Sequence, residues 1–333
     1  MLCRKLACER INQGPFQEND RSQASYLQLI LILYALPEND LGIARKSLGQ
    51  ISFDGCLQTM LEIGILTDEI SLDLNEALTE GKALGFRKYE LRCVDSYEKR
   101  VPNLPAGTEE RLKAEIDAGE LELTALAPGL FKRRLSEQEA IAAELDDILP
   151  RTCEMAQRLK APNIVVFSFM RSTEGSEAKA VDILKKAGQI VVDHGLKMAV
   201  ENEPGFYADT GENTAALVKA IGLESVGINW DPGNAVSSGE AAYPIGYRAV
   251  LPYILNVHVK DTIPVPPDKW ENLLIGDGGV NWLGQIQALT NDRPIEHITL
   301  ETHVFPLLES TREDLRRLRI LLDTVERLDE ASD

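Results

Sequence analysis

Histidine is scarce in this chain, cysteine is unpatterned and cations are outnumbered, and each shortage excludes a class of function. Of four histidines, His258 alone ends a strand-like segment and His303 lies near another, so any metal chemistry must lean on carboxylates. The five cysteines, at 3, 8, 56, 93 and 153, form neither a CxxC pair nor an even framework, which points to a reduced compartment and a cytoplasmic location. Lys and Arg total 35 against 53 Asp and Glu, a net charge of −18 that disfavours nucleic acid and anionic membrane surfaces. The apolar run Tyr26 to Leu36, about 11 residues, is too short to span a bilayer. It also lies too far from the start, behind a mixed-charge stretch, to read as a signal peptide.

What is present suits one large α/β domain with an extension: 333 residues, 44% of them hydrophobic. From residue 60, strand-like and helix-like stretches alternate. Strands are expected at 62–67, 88–93, 123–127, 163–169, 197–202, 226–231, 254–259 and 297–302, spaced about 33 residues apart as βαβ units require. Eight such units close a (β/α)8 TIM barrel over 60–333, with residues 1–59 as an N-terminal extension, partly disordered. Asp73 and Glu76 open a helix that Gly85 closes, and Thr108 opens one that Gly119 ends. Ser136/Glu139 and Ser310/Glu313 read as capping boxes, Pro150 as a helix start and Asn281 as a cap. His194 fits a helix C-cap and His297 the surface. The Pro-rich stretch 262–281 ends in Gly276-Asp-Gly-Gly279, a long loop of the functional kind, whose turn either is merely a turn or presents N–H groups to an anion.

Four late strands share one pattern. Met198 to Glu201, Gly227 to Asp231, Ile254 to His258 and Ile298 to Glu301 each end on a residue that can ligate a metal. Alternation puts Met198, Val200, Ile228, Trp230, Val257, Ile298 and Leu300 on one face. Ala199, Glu201, Asn229, Asp231, Asn256, His258, Thr299 and Glu301 lie on the other. In a barrel the bulky face packs on the outer helices and the other points inward, toward the carboxyl ends where active sites lie. Three carboxylates and one imidazole suit Mn²⁺, Mg²⁺ or Co²⁺. Glu203 shares the parity of Glu201 and is the alternative ligand from its strand.

The segments Thr67 to Ile70, Tyr89 to Arg92, Ala127 to Lys132, Val200 to Asn202, Asp231 to Asn234, His258 to Asp261 and Leu300-Glu301 resemble the sugar phosphate isomerase/epimerase family, the xylose isomerase-like TIM barrels. The resemblance covers about residues 60–328. It implies one divalent metal on Glu201, Asp231, His258 and Glu301, with Glu201 and Glu301 also moving protons to and from the carbon beside a carbonyl. The implied activity is isomerisation or epimerisation of a small sugar or hydroxy-keto compound. Separately, the outer helices of such a barrel can support a homo-oligomer. Rivals are an inosose dehydratase-like hydro-lyase using the same site and a non-catalytic metabolite-binding barrel. The apurinic endonuclease branch needs more histidines than this chain has. Many ketose epimerases carry a histidine where this sequence has Asn234, an amide that bonds a hydroxyl without titrating. Lys260, Asn234, Lys132, Glu90 and Arg92 are the expected substrate contacts. The bland readings are a Lys260–Asp261 rim pair, pairing of Glu90 with Arg92, an exposed Lys132 and a loop role for His303. Without a visible Arg or Lys cluster at the mouth, a neutral sugar is favoured over a sugar phosphate.

Overall fold

The computed structural model describes residues 61–173, 176–266, 269–292 and 294–330; the extension over 1–59 lies outside them. In chain order the strands are β1 (Glu62–Leu66), β2 (Lys88–Leu91), β3 (Cys93–Val94), β4 (Ser96–Arg100), β5 (Glu122–Leu126), β6 (Asn163–Val166), β7 (Lys197–Glu201), β8 (Val226–Trp230), β9 (Ile254–Val259), β10 (Asp261–Val265), β11 (Lys269–Leu273) and β12 (His297–Leu300). Eight of them close a parallel barrel in the order β1-β12-β9-β8-β7-β6-β5-β2. These are the eight expected from the sequence, each ending within about three residues of its expected end. The four remaining strands form two antiparallel hairpins, β3-β4 and β10-β11, which follow β2 and β9 at the carboxyl end of the barrel.

The alternating faces are realised. Met198, Val200, Ile228, Trp230, Val257, Ile298 and Leu300 are fully buried in the main apolar core with the helices. Each such side chain contributes roughly 1.5–3 kcal/mol of burial. Trp230 also donates its indole N–H to Gln285 Oε1 at 3.1 Å, tying β8 to helix Trp282–Asp292. A second, small cluster of Ala125, Ala127, Val165 and Ala199 fills the barrel axis. Small side chains there leave room for the polar groups above them.

Helix punctuation follows the sequence in part. Asp73 caps helix Leu74–Leu84 by accepting from the N–H groups of Asn75 and Glu76, and Gly85 closes it. Asn281 caps its helix through Gly284 N–H, and His194 closes helix Glu177–Asp193. Helix Thr108–Asp117 starts where expected. The two capping boxes do not form. The 138–143 helix begins after Glu137, whose carboxylate instead accepts from Arg134 N–H, and the last helix starts at Leu307, so Ser310 lies inside it. Pro150 stands in the first turn of helix Leu149–Arg158, as expected, with a π-helical segment, Glu144–Ile148, running directly into it. His297 is half-buried rather than on the surface, and burial holds its imidazole below the ordinary value.

The long 262–281 stretch is mostly hairpin and a tight turn wrapped on Asp261. That buried carboxylate accepts from the N–H groups of Thr262, Gly276, Gly278 and Val280 at 2.8–3.3 Å. The glycine turn therefore does cradle an anion, but the anion is the chain's own. A Cβ on Gly278 would lie 2.2 Å from Asp261 Oδ1, which is why glycine occupies the position. Asp261 is thereby removed from any pairing with Lys260.

Candidate active site

Four strand ends deliver four candidate ligands to one point. Glu201 ends β7, Asp231 follows β8, His258 lies in β9 and Glu301 follows β12. One ligand atom from each lies within 4.8 Å of all the others, and all four residues are buried. Glu203 is outside this group. Its carboxylate instead takes Lys132 Nζ at 2.6 Å and Asn234 Nδ2 at 3.1 Å.

The ligands are held from behind. Asn202 Nδ2 donates to the Asp231 carbonyl and Asn202 Oδ1 accepts Asp231 N–H, both at 2.8 Å. Asp231 Oδ1 then caps the helix Pro232–Ser237 through Asn234 N–H, leaving Oδ2 to face the cluster. His258 Nε2 lies 3.0 Å from Glu90 Oε2, while Nδ1 lies 3.6 Å from Glu201 and 3.4 Å from Glu301. Glu90 also accepts from Asn256 Nδ2 at 2.6 Å. This carboxylate–imidazole pair is the arrangement that fixes ring orientation in metal-ligating histidines.

Cationic side chains face the carboxylates of the cluster. Lys260 Nζ lies 2.7 Å from Asp231 Oδ2 and 3.1 Å from Glu301 Oε2. Burial disfavours charge on Lys260, but Asp231 and Glu301 more than offset it and raise its pKa well above the ordinary value. His258 is likewise raised by Glu90, Glu301 and Glu201 against burial. Burial would raise Glu301, yet Lys260, His303, His258 and Arg92 pull it well below the usual carboxylate range. Asp231 goes the other way, up to about 6, because burial and the two glutamates outweigh Lys260. Its Oδ2 has a close ammonium but no hydrogen bond of good geometry, so a buried carboxylate oxygen stays incompletely satisfied. An oxygen-rich cluster with one such oxygen and an imidazole nitrogen aimed inward fits a divalent cation.

A cleft of about 130 Å³ opens above the ligands, and Arg92, Lys132, Asn234, Lys260 and His303 line it with Glu201 and Glu301. Four of the five expected substrate contacts thus reach the cleft. The fifth, Glu90, does not. It is fully buried beneath the ligands, and its carboxylate is occupied by His258 and Asn256. Its strand parity was read correctly, but its depth places it behind His258. Nor does it pair with Arg92, which is fully engaged elsewhere by Asp68 Oδ2 at 2.8 Å, Glu69 Oε1 at 2.7 Å and Glu301. Lys132 is exposed, over the Phe167 ring at 4.5 Å and paired with Glu203. His303 does more than shape a loop: Nδ1 lies 2.7 Å from Glu69 and Nε2 3.3 Å from Glu301. Burial would lower its pKa, but the two glutamates raise it to about 9. Sequence reasoning missed Asn202, Glu69, Arg100, Trp270 and Asn272, the last three of which also line the cleft. Parity along the strands reaches none of the three, because they come from the hairpins. A larger cavity, about 300 Å³, is lined by Glu62, Arg87, Lys88 and Glu122 at the amino ends of the strands, away from the ligands and from the end where barrel enzymes act.

A family model for the xylose isomerase-like TIM barrel matches residues 78–321, and the chain belongs to that family. Among solved structures, L-ribulose 3-epimerase superposes with a TM-score of 0.66 at 17% identity, over 82% of this chain and 98% of that one. The probable 3-DHS dehydratase AsbF of Bacillus anthracis gives 0.64 at 16%, over 78% and 99%. The IOLI protein with a bound zinc atom gives 0.64 at 18%, over 80% and 99%. At these identities the likeness concerns the fold. No curated protein matches the sequence.

Proposed function

We propose that the chain is a divalent-metal-dependent isomerase or epimerase of a small sugar or hydroxy-keto compound. The observation that carries this is the convergence of Glu201, Asp231, His258 and Glu301 at the carboxyl end of the barrel, beneath an open cleft. Those four residues would hold Mn²⁺, Mg²⁺ or Co²⁺, which when bound polarises a carbonyl and so acidifies the carbon beside it. Glu201 and Glu301 arise from non-adjacent strands, β7 and β12, and so approach a substrate from different sides. One carboxylate accepts the proton from that carbon and the other returns a proton to the opposite face. Glu301 is kept ionised by its cations, so a base is in place, though the same cations weaken it. Lys260 and Asn234 line the cleft and orient substrate oxygens by donating hydrogen bonds. Epimerase and dehydratase activities among the fold neighbours agree with proton removal as the shared first step.

A second reading, a hydro-lyase, draws on Lys260 and His303. Their nitrogens lie 3.1 and 3.3 Å from Glu301, and a departing hydroxide needs such a proton donor. The test is to incubate the Mn²⁺-loaded full chain with a ketose panel in D₂O. Deuterium uptake with the carbon skeleton and its oxygens retained supports the isomerase, and uptake with loss of water supports the hydro-lyase. Neither, from a chain that binds one ion, leaves a metabolite-binding barrel. In either enzyme Glu301→Gln should lower turnover by about 10²-fold or more.

A further inference from the structure

Four long cationic side chains line the cleft, and three are already matched. Arg92 is held by three carboxylates, Lys132 by Glu203 and Lys260 by Asp231 and Glu301. Arg100 is different. It ends β4, is half-buried and lines the same cleft, yet its guanidinium has no ion pair or hydrogen bond among the described residues. Packing holds it instead. Its backbone is fixed opposite Cys93 in the β3-β4 hairpin, and the side chain lies along Gly129. A Cβ on Gly129, where φ is +76°, would stand 3.0–3.2 Å from Nη1, Cδ and Cζ of Arg100. Glycine there leaves the guanidinium its present place, whereas a Cβ would press on it.

In a chain of net charge −18 an arginine at the active cleft can readily find a carboxylate. One that is positioned and left unmatched has its donors free for a ligand, and a planar guanidinium suits carboxylate and phosphate through two parallel hydrogen bonds. We propose that the substrate carries an anionic group and that Arg100 receives it, which makes the substrate a sugar acid or a sugar phosphate. This rests on the function proposed above and narrows it. It reverses the neutral-sugar expectation, which saw no cationic cluster because residues 92, 100, 132 and 260 are scattered along the chain. Trp270 and Asn272 of β11 line the same cleft and offer an apolar face and an amide to the body of such a substrate.

The test uses the full chain loaded with Mn²⁺, with metal counted per chain, titrated calorimetrically at low salt with ribitol, ribonate and ribitol 5-phosphate. At least one anion should bind about tenfold or more tightly than ribitol, and which one does distinguishes carboxylate from phosphate. Arg100→Gln should abolish that advantage while leaving metal content and ribitol affinity unchanged, and Arg100→Lys should keep part of it. Equal binding of all three, binding of none by the metal-loaded chain, or an advantage that survives in Arg100→Gln overturns the proposal. Absence of bound metal would instead sink the proposed function, and the anion comparison is then read on the metal-free chain, where the same Arg100 dependence is required.

Discussion

Asn202 grips both backbone polar groups of Asp231, accepting its N–H and donating to its carbonyl at 2.8 Å each. The two residues are 29 positions apart, at the ends of adjacent strands, so this one amide sets how β7 presents its neighbour's ligand. Asn202→Ala strands the buried N–H of Asp231, worth about 1–3 kcal/mol when unsatisfied, while the Asp231 carbonyl keeps Ala235 N–H at 3.2 Å. Urea unfolding should therefore show a loss of roughly 1–3 kcal/mol. Metal affinity should fall about 10–100-fold, as it does when groups supporting ligands are removed. A variant with unchanged Mn²⁺ affinity would show that Asp231 finds its position without Asn202.

Glu90 offers a sharper distinction. If it touched substrate, Glu90→Gln would act mainly through KM. Its place beneath His258 predicts a weaker metal site instead, by about 10–100-fold, with KM little changed once metal is saturating. Burial alone would raise the Glu90 pKa, but His258, Asn256 and Thr299 hold it below the usual carboxylate value, so a charge is lost in the variant. Chelator competition measures the affinity, and saturation kinetics at high metal measure KM. A raised KM with unchanged affinity would return Glu90 to the substrate.

Strand parity made the barrel and the convergence of Glu201, Asp231, His258 and Glu301 legible, because a residue's face on a buried strand is fixed by counting in twos. Counting does not give depth. Glu90 and Arg92 share a face, yet one lies under His258 and the other at the cleft wall. Nor does it reach the hairpins, whose side chains meet the cleft through turns that alternation does not encode, which hid Arg100, Trp270 and Asn272. The Gly276–Gly279 turn was visible as an anion cradle, but not its occupant, since Asp261 lies 15 residues away from Gly276 and meets it only in the fold.

Lys132 tests whether closeness to the cleft implies a stabilising role. Its pair with Glu203 is 2.6 Å long, but the lysine side chain is 41% exposed. Such pairs are worth about 0–1 kcal/mol. Lys132→Met should leave stability within about 1 kcal/mol of the parent in urea unfolding. Any loss of activity would then report substrate contact, and a larger loss of stability would show that the Lys132 stack on Phe167 holds the loop.

Asp314 makes a pH-dependent prediction remote from the ligands. It is buried in the last helix, and its Oδ1 accepts Ile275 N–H at 2.8 Å, fastening the same turn that Asp261 holds. Burial raises its pKa from an ordinary 3.8 to about 7, with Asp261 adding repulsion, against the hydrogen bond from Ile275, the nearby Thr302 and the charge of Arg317. The folded state therefore binds this proton more tightly than the unfolded chain. The stabilisation it brings is complete below about pH 4, fades as pH climbs toward 7 and is absent above. At about 1.4 kcal/mol per pKa unit, the loss is on the order of 4 kcal/mol. Asp314→Asn keeps the acceptor for Ile275 and removes the charge. Urea midpoints from pH 5 to 8 should therefore fall less steeply in the variant, which should be the more stable protein at pH 8. Parallel curves would mean that Asp314 titrates in the folded chain as it does in the unfolded one, and that its burial has been relieved by water.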